Sequence, residues 1–254
     1  MRTPRHIIHA LAMLAALLAF DALAAPDYAR EKRWAEDITP TLVVGDAVYL
    51  AQPSGHKFLA LYTEAKKARA AVIVVHGLGV HPDWALIGAL RSQLPDYGYT
   101  TLSLQMPVLA ADATREEYFA LFPDAAERLA AAVAFLKARG HTNIALASHS
   151  IGASMSDQFL AATPAHGVAA WIAIGIFPTD FSAPGKLGLP VLDIYGSRDF
   201  PQVLQKADAR AAVLSKLKGS AQIEVPGADH FFAGSESELA RHIRLFLDRH
   251  FDQP

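Results

Sequence analysis

Short, almost uninterrupted apolar runs alternate with helix-spaced segments along most of this chain. Val72 to Val75, Thr100 to Leu104, Asn143 to Ala147, Val168 to Ile174, Val191 to Tyr195 and Gln222 to Val225 predict strands. Helical patterns occupy Asp83 to Leu94, Arg115 to Arg139, Ile151 to Ala162, Gln202 to Leu217 and Glu236 to Phe251. Strands that are apolar throughout belong in a sheet buried on both faces, so the alternation predicts a mainly parallel, doubly wound α/β sheet flanked by helices. The upstream pattern is different. A candidate strand at Lys57 to Thr63, alternating through Tyr62 as an antiparallel strand does, follows another at Leu42 to Leu50 across the turn Gln52-Pro53-Ser54-Gly55-His56. Before them, Tyr28 to Asp37 reads as a charged helix.

The first residues have another character. Arg2 and Arg5 precede an apolar stretch, Ile7 to Phe20, broken by His9, and Ala22-Leu23-Ala24 offers the small residues of a cleavage site. Residues 1–24 therefore predict a secretory signal peptide, cut after Ala24 because a cut one residue later would set Pro26 beside the scissile bond. An uncleaved anchor is the alternative, for which the apolar core is short. The expected mature protein, residues 25–254, is one domain, periplasmic or secreted, with no stable membrane insertion after cleavage.

Composition narrows the classes further. A hydrophobic share of 52% in 254 residues supports a large core. The 23 basic and 25 acidic residues are interspersed and nearly balanced, with no basic stripe to suggest a nucleic-acid partner. The absence of cysteine removes disulfides, thiolate metal sites and a cysteine nucleophile.

The candidate chemistry begins where Ile144-Ala145-Leu146-Ala147 runs into Ser148-His149-Ser150-Ile151-Gly152 and a helix. A strand that turns sharply into a helix needs small residues two before and two after the turning serine, or the backbones collide. Ser148 and Gly152 fill those places, and Ser150 is the candidate nucleophile. Val191 to Gly196 leads to Asp199, and Ala221 to Val225 leads through Gly227 to His230. Asp199 is the candidate acid, with Asp193 and Asp229 as rivals, and His230 the candidate base. Serine, acid and histidine thus each follow a predicted strand, in that chain order.

The order, the elbow and the run Ala71 to Val75 into His76-Gly77-Leu78-Gly79 together resemble the α/β-hydrolase superfamily. The stretches His81-Pro82-Asp83-Trp84 and Leu102 to Pro107 resemble, more narrowly, a poorly characterised group of exported bacterial α/β-hydrolases. The resemblance implies an oxyanion hole from the backbone N–H groups of Ile151 and Leu78, with Gly79 as the neighbouring alternative. It implies a serine hydrolase that cleaves a small-molecule ester or related acyl bond through an acyl-enzyme, without cofactor or metal. An acyltransferase, or a catalytically idle protein that holds a lipid or envelope component, stands as the alternative.

Two loops should shape the cleft. The connection from Phe177 to Pro190 is short and proline-rich, too small for a lid domain. Together with Gln105 to Thr114 it suggests Leu78, Met106, Phe177, Phe181, Phe200 and Phe231 as apolar walls. His76 is expected to hydrogen-bond beneath its loop, His149 to pack in the elbow, and Asp83 to cap the helix beginning at Trp84. His81 and Asp83 have no further ligands near them with metal-site spacing.

Overall fold

The computed structural model describes residues 25–177, 181–182 and 188–251. The expected signal peptide, residues 1–24, lies outside them. Eight strands form one sheet: β1 (Asp46–Ala51), β2 (Lys57–Thr63), β3 (Ala70–Val75), β4 (Tyr99–Leu104), β5 (Ile144–His149), β6 (Ala170–Ile174), β7 (Val191–Arg198) and β8 (Ala221–Asp229). Their spatial order is β1-β2-β4-β3-β5-β6-β7-β8. β1 pairs antiparallel with β2, and β2 with β4, while every pairing from β4 through β3 to β8 is parallel.

Helices α1 (Tyr28–Ile38), α2 (Ala85–Gln93), α3 (Phe122–Ala138), α4 (Ile151–Ala162), α5 (Pro201–Gln205), α6 (Ala207–Leu214) and α7 (Glu236–Phe251) surround the sheet. Strand alternation divides the core. From β3, Ala71, Ile73 and Val75 pack toward Leu129 and Leu136 of α3 and Met155 and Phe159 of α4. Val72 and Val74 point the other way, toward Leu86, Ile87 and Leu90 of α2 and Leu239, Ile243 and Phe246 of α7. Both faces of the central strands are dry, which is why those strands lack polar alternation. α1 closes the antiparallel end, where Ala35 and Ile38 cover Leu59 and Leu61.

Several element boundaries differ from expectation, each for a local reason. The helix expected from Arg115 starts at Phe122 with Pro123 in its first turn, and Glu116–Leu121 is a 3₁₀ stretch. The segment Gln202 to Leu217 is two helices separated at Lys206. The first strand begins at Asp46, not Leu42, after Gly45 with φ +78°, where a Cβ would sit 2.4 Å from Thr63 Oγ1. Asp83 caps nothing: α2 has Trp84 at its N-cap position, and the Asp83 carboxylate instead takes Arg91 Nε and Nη2 at 2.6 Å each.

Candidate active site

Ser150 stands alone between the end of β5 and the start of α4, with φ 57° and ψ −128°. A non-glycine residue in that region is strained, and neighbours must enforce it. Two contacts do so. Its N–H donates to Ile174 O at 2.9 Å, tying the turn to β6. Beneath it, α4 passes so close to the end of β3 that a Cβ on Gly152 would lie 2.2 Å from His76 O. The other small position is occupied by Ser148, whose Oγ accepts the Trp171 indole N–H at 2.7 Å. A hydroxyl at this point satisfies a donor that is otherwise fully buried.

The strand ends bring the three candidate groups together. His230 Nδ1–H donates to Asp199 Oδ1 at 2.6 Å, and Ser150 Oγ–H donates to His230 Nε2 at 2.9 Å. Asp199 Oδ1 also accepts the Phe200 N–H at 2.7 Å. The imidazole therefore has its tautomer fixed by a carboxylate on one side and presents a bare nitrogen to the hydroxyl on the other. Gly175, with φ +52°, leaves room for this pair; a Cβ there would meet Asp199 Oδ2 and His230 Nδ1 at 3.1 Å. Phe232, fully buried with φ 53°, anchors the loop just after His230.

The rival acids are engaged elsewhere. Asp193 Oδ2 takes Arg210 Nε and Gln222 Nε2, both at 2.8 Å, inside the core. Asp229 Oδ1 accepts the N–H groups of Phe231 and Ala233 and so shapes the turn around His230. Nor is His149 placed to relay protons. Its Nε2–H donates to His230 O at 2.9 Å, and burial holds its pKa down to about 3.

Opposite the elbow, His76 orders the Gly77–Leu78 loop. Its Nδ1–H donates to Gly77 O at 2.8 Å, and its Nε2 accepts the Met106 N–H at 2.9 Å. A trans peptide points its C=O and N–H in opposite directions. With the Gly77 carbonyl turned onto His76, the Leu78 N–H faces away from that ring. The Ile151 N–H, first in its helix, has no intrahelical acceptor. Leu78 and Ile151 both line the cleft beside Ser150. A second clamp comes from α1, where Arg30 donates from Nη1 to Leu109 O at 2.7 Å and from Nη2 to Gly79 O at 2.9 Å.

The cleft over Ser150 holds about 210 Å³. Leu78, Phe177, Phe200 and Phe231 line it as expected, and Phe200 stacks on His230 with centroids 4.1 Å apart. Met106 and Phe181 do not take the expected places. The Met106 side chain is only 1% exposed and belongs to the core, because its backbone N–H is drawn in by His76. Phe181 packs edge-on against buried Trp171, 5.3 Å away, on the flank of α4. In their stead stand Val80, Trp84 and Arg115, which sequence reasoning missed. The sequence pattern makes Trp84 the start of one helix and Arg115 the first residue of another. Only the fold turns both toward Ser150. The constellation as a whole can lower the cost of attack by Ser150 Oγ on a carbonyl carbon, with His230 receiving the proton.

Comparison with known proteins agrees with this architecture. No curated protein matches the sequence at a significant level. Among solved structures, an α/β serine hydrolase without a lid from Xanthomonas campestris is similar, with a TM-score of 0.66 and 19% identity over 84% of this chain and 97% of that one. Dienelactone hydrolase from Anabaena variabilis gives 0.63 and 19%, over 81% and 97%. Est1E from Butyrivibrio proteoclasticus, with ferulic acid bound, gives 0.65 and 18%, over 82% and 100%. At such identities the likeness establishes the fold, which is that of the α/β-hydrolases. A family model described as "Protein of unknown function (DUF3530)" matches residues 11–127 and 123–249. Spanning nearly the whole sequence, that match places the chain in the DUF3530 family.

Proposed function

We propose that this protein is a serine hydrolase that cleaves a small ester through an acyl-enzyme. One observation carries the reading: His230 is hydrogen-bonded to Asp199 at 2.6 Å and to Ser150 at 2.9 Å, with Ser150 held in a backbone conformation that its neighbours enforce. In this reading Ser150 Oγ attacks the carbonyl carbon while His230 takes its proton, and Asp199 stabilises the resulting imidazolium. The N–H groups of Ile151 and Leu78 receive the developing oxyanion. His230 then returns the proton to the leaving alkoxide, the alcohol departs, and water repeats the sequence to release the acid.

The aromatic walls favour a compact, flat group. Trp84, Phe177, Phe200 and Phe231 surround the serine, and 210 Å³ falls below the ~300 Å³ that marks the lower end of drug-sized pockets. The neighbour with ferulic acid bound supports an aromatic ester as one substrate class. Export is part of the proposal, supported by the leader-like sequence of residues 1–24. Among the described residues no helix is long and apolar enough to cross a membrane.

A fluorophosphonate probe tests the chemistry directly. The purified protein should be labelled at Ser150 and should hydrolyse short aryl esters. Ser150→Ala should lose both, with turnover falling by about 10⁶. Probe-resistant wild-type protein, or a Ser150→Ala variant as active as wild type, would overturn the proposal.

A further inference from the structure

Among the described residues that line the cleft, Arg115 carries the single formal charge. Its neighbours there are the aromatic walls Trp84, Phe177, Phe200 and Phe231 beside Ser150, and the one further titratable side chain outside the triad, His149, is kept neutral by burial. Arg115 is half-buried, and its guanidinium lies 4.1 Å from the ring centroid of Phe177, itself 4% exposed. Among the described residues the guanidinium has no carboxylate partner and makes no hydrogen bond; only the Arg115 backbone carbonyl is engaged, by the Tyr118 N–H. This is unusual among the buried and half-buried arginines; Arg139, which also lies over an aromatic ring without an acid partner, is exposed. Arg128, Arg210 and Arg91, the buried arginines, are each paired with an acid at 3.0 Å or closer. Glu117, two residues along the chain, does not answer Arg115 either: it is turned to the Thr114 N–H and hydroxyl.

A guanidinium placed over an aromatic face, with no protein acceptor on its N–H groups, has that fork free for a planar anion. Burial of the stem and the ring below reduces the side-chain entropy lost when that anion binds. We infer that Arg115 is a substrate-anion site: the ester cleaved at Ser150 carries a carboxylate, on its acyl or its alcohol side, that docks on Arg115. This rests on the hydrolase reading and sharpens it. The aromatic walls take the body of the molecule and Arg115 selects for charge at its far end.

Two substrate pairs locate the anion. Mono-4-nitrophenyl adipate against 4-nitrophenyl hexanoate places the charge on the acyl side; 4-acetoxybenzoate against its methyl ester places it on the alcohol side. In one pair the charged ester should have the higher kcat/KM, chiefly through a lower KM. Arg115→Met keeps the cover on Phe177 but removes the fork, and should cut the charged-to-neutral ratio by about 10- to 100-fold. Arg115→Lys should recover part of that ratio. A residue that merely packs on Phe177 would change both esters alike and leave the ratio where it was, which would overturn the inference. So would wild-type indifference to charge in both pairs.

Binding separates this from failure of the hydrolase reading. Calorimetry with the Ser150→Ala protein should show tighter binding of the charged than the neutral ester, and adding Arg115→Met should erase the difference. Charge-selective binding without any turnover in wild type would leave the anion site standing and remove the enzyme. Turnover without charge-selective binding would do the reverse.

Discussion

Arg30 of α1 donates to the carbonyl of Gly79 at 2.9 Å, across 49 residues of sequence, and so ties the first helix to the loop that carries Leu78. Its other terminal nitrogen reaches Leu109 O, and the Trp34 ring lies 4.5 Å beneath the guanidinium. The helix is therefore part of the loop's support, together with His76 from the other side. If Leu78 supplies half of an oxyanion hole, small displacements of this loop should be costly in the transition state and nearly silent in the ground state.

Arg30→Met should accordingly lower kcat by about 10- to 100-fold with little change in KM, slow fluorophosphonate labelling in parallel, and leave the circular dichroism spectrum intact. Arg30→Lys, able to reach only one carbonyl, should fall between. An Arg30→Met enzyme with full kcat would show that Arg30 serves α1 alone.

The first small position of such an elbow is commonly glycine, and Ser148 tests why it is serine here. Ser148→Gly restores the commoner small residue but leaves the Trp171 indole N–H without its acceptor. The expected result is a loss of about 1–3 kcal/mol in unfolding free energy, with esterase kinetics of the folded protein close to wild type. Denaturant titration and kinetics on the same sample read both. Greater stability in the glycine variant would mean that steric relief at the elbow outweighs the buried hydrogen bond.

The parts of this site that sequence reveals are those encoded by neighbours in the chain. Ser150 is legible because Ser148 and Gly152 lie two residues away, and because apolar β5 precedes it. Asp199 and His230 are legible because each follows an apolar strand in a parallel sheet, whose C-terminal edge is where ligands bind. The central strands read clearly because burial on both faces writes itself into composition. What sequence concealed depends on contacts between distant residues. Nothing near Arg30 signals that it meets Gly79 and Leu109, and nothing near Arg115 sets it beside Phe177 rather than in solvent. Met106 and Arg115 both belong to the segment after β4. Side-chain direction decided which of them meets the cleft, and an irregular loop has no periodicity from which to read it.

The two candidate acids should separate by the kind of damage they cause. Asp199→Asn should leave the fold intact and lower turnover by about 10⁴, since the imidazole loses the partner that fixes its tautomer. Asp193→Asn instead leaves Arg210, 1% exposed, without its counter-charge in the core, and should destabilise the protein by about 3–5 kcal/mol. Kinetics at a temperature where both variants are folded, beside denaturant midpoints, distinguishes them. A stable Asp193→Asn protein with the larger kinetic defect would reverse the assignment.

Acid sensitivity gives the last expectation. Burial holds the pKa values of His76 and His149 each down to about 3. In the unfolded chain they titrate near ~6.5. Between those values the unfolded state binds protons that the native state refuses, so stability is lost as pH falls below about 6.5. Each histidine contributes up to about 1.4 kcal/mol per pH unit to that slope. His149→Gln keeps a side-chain N–H that can turn toward His230 O but has no titration in this range. Its unfolding free energy, followed from about pH 6 to about pH 4.5, should decline less steeply than that of wild type by about 1.4 kcal/mol per unit. Identical slopes would mean that His149 takes up its proton in the native state after all, and the neutral, buried imidazole described here would be wrong.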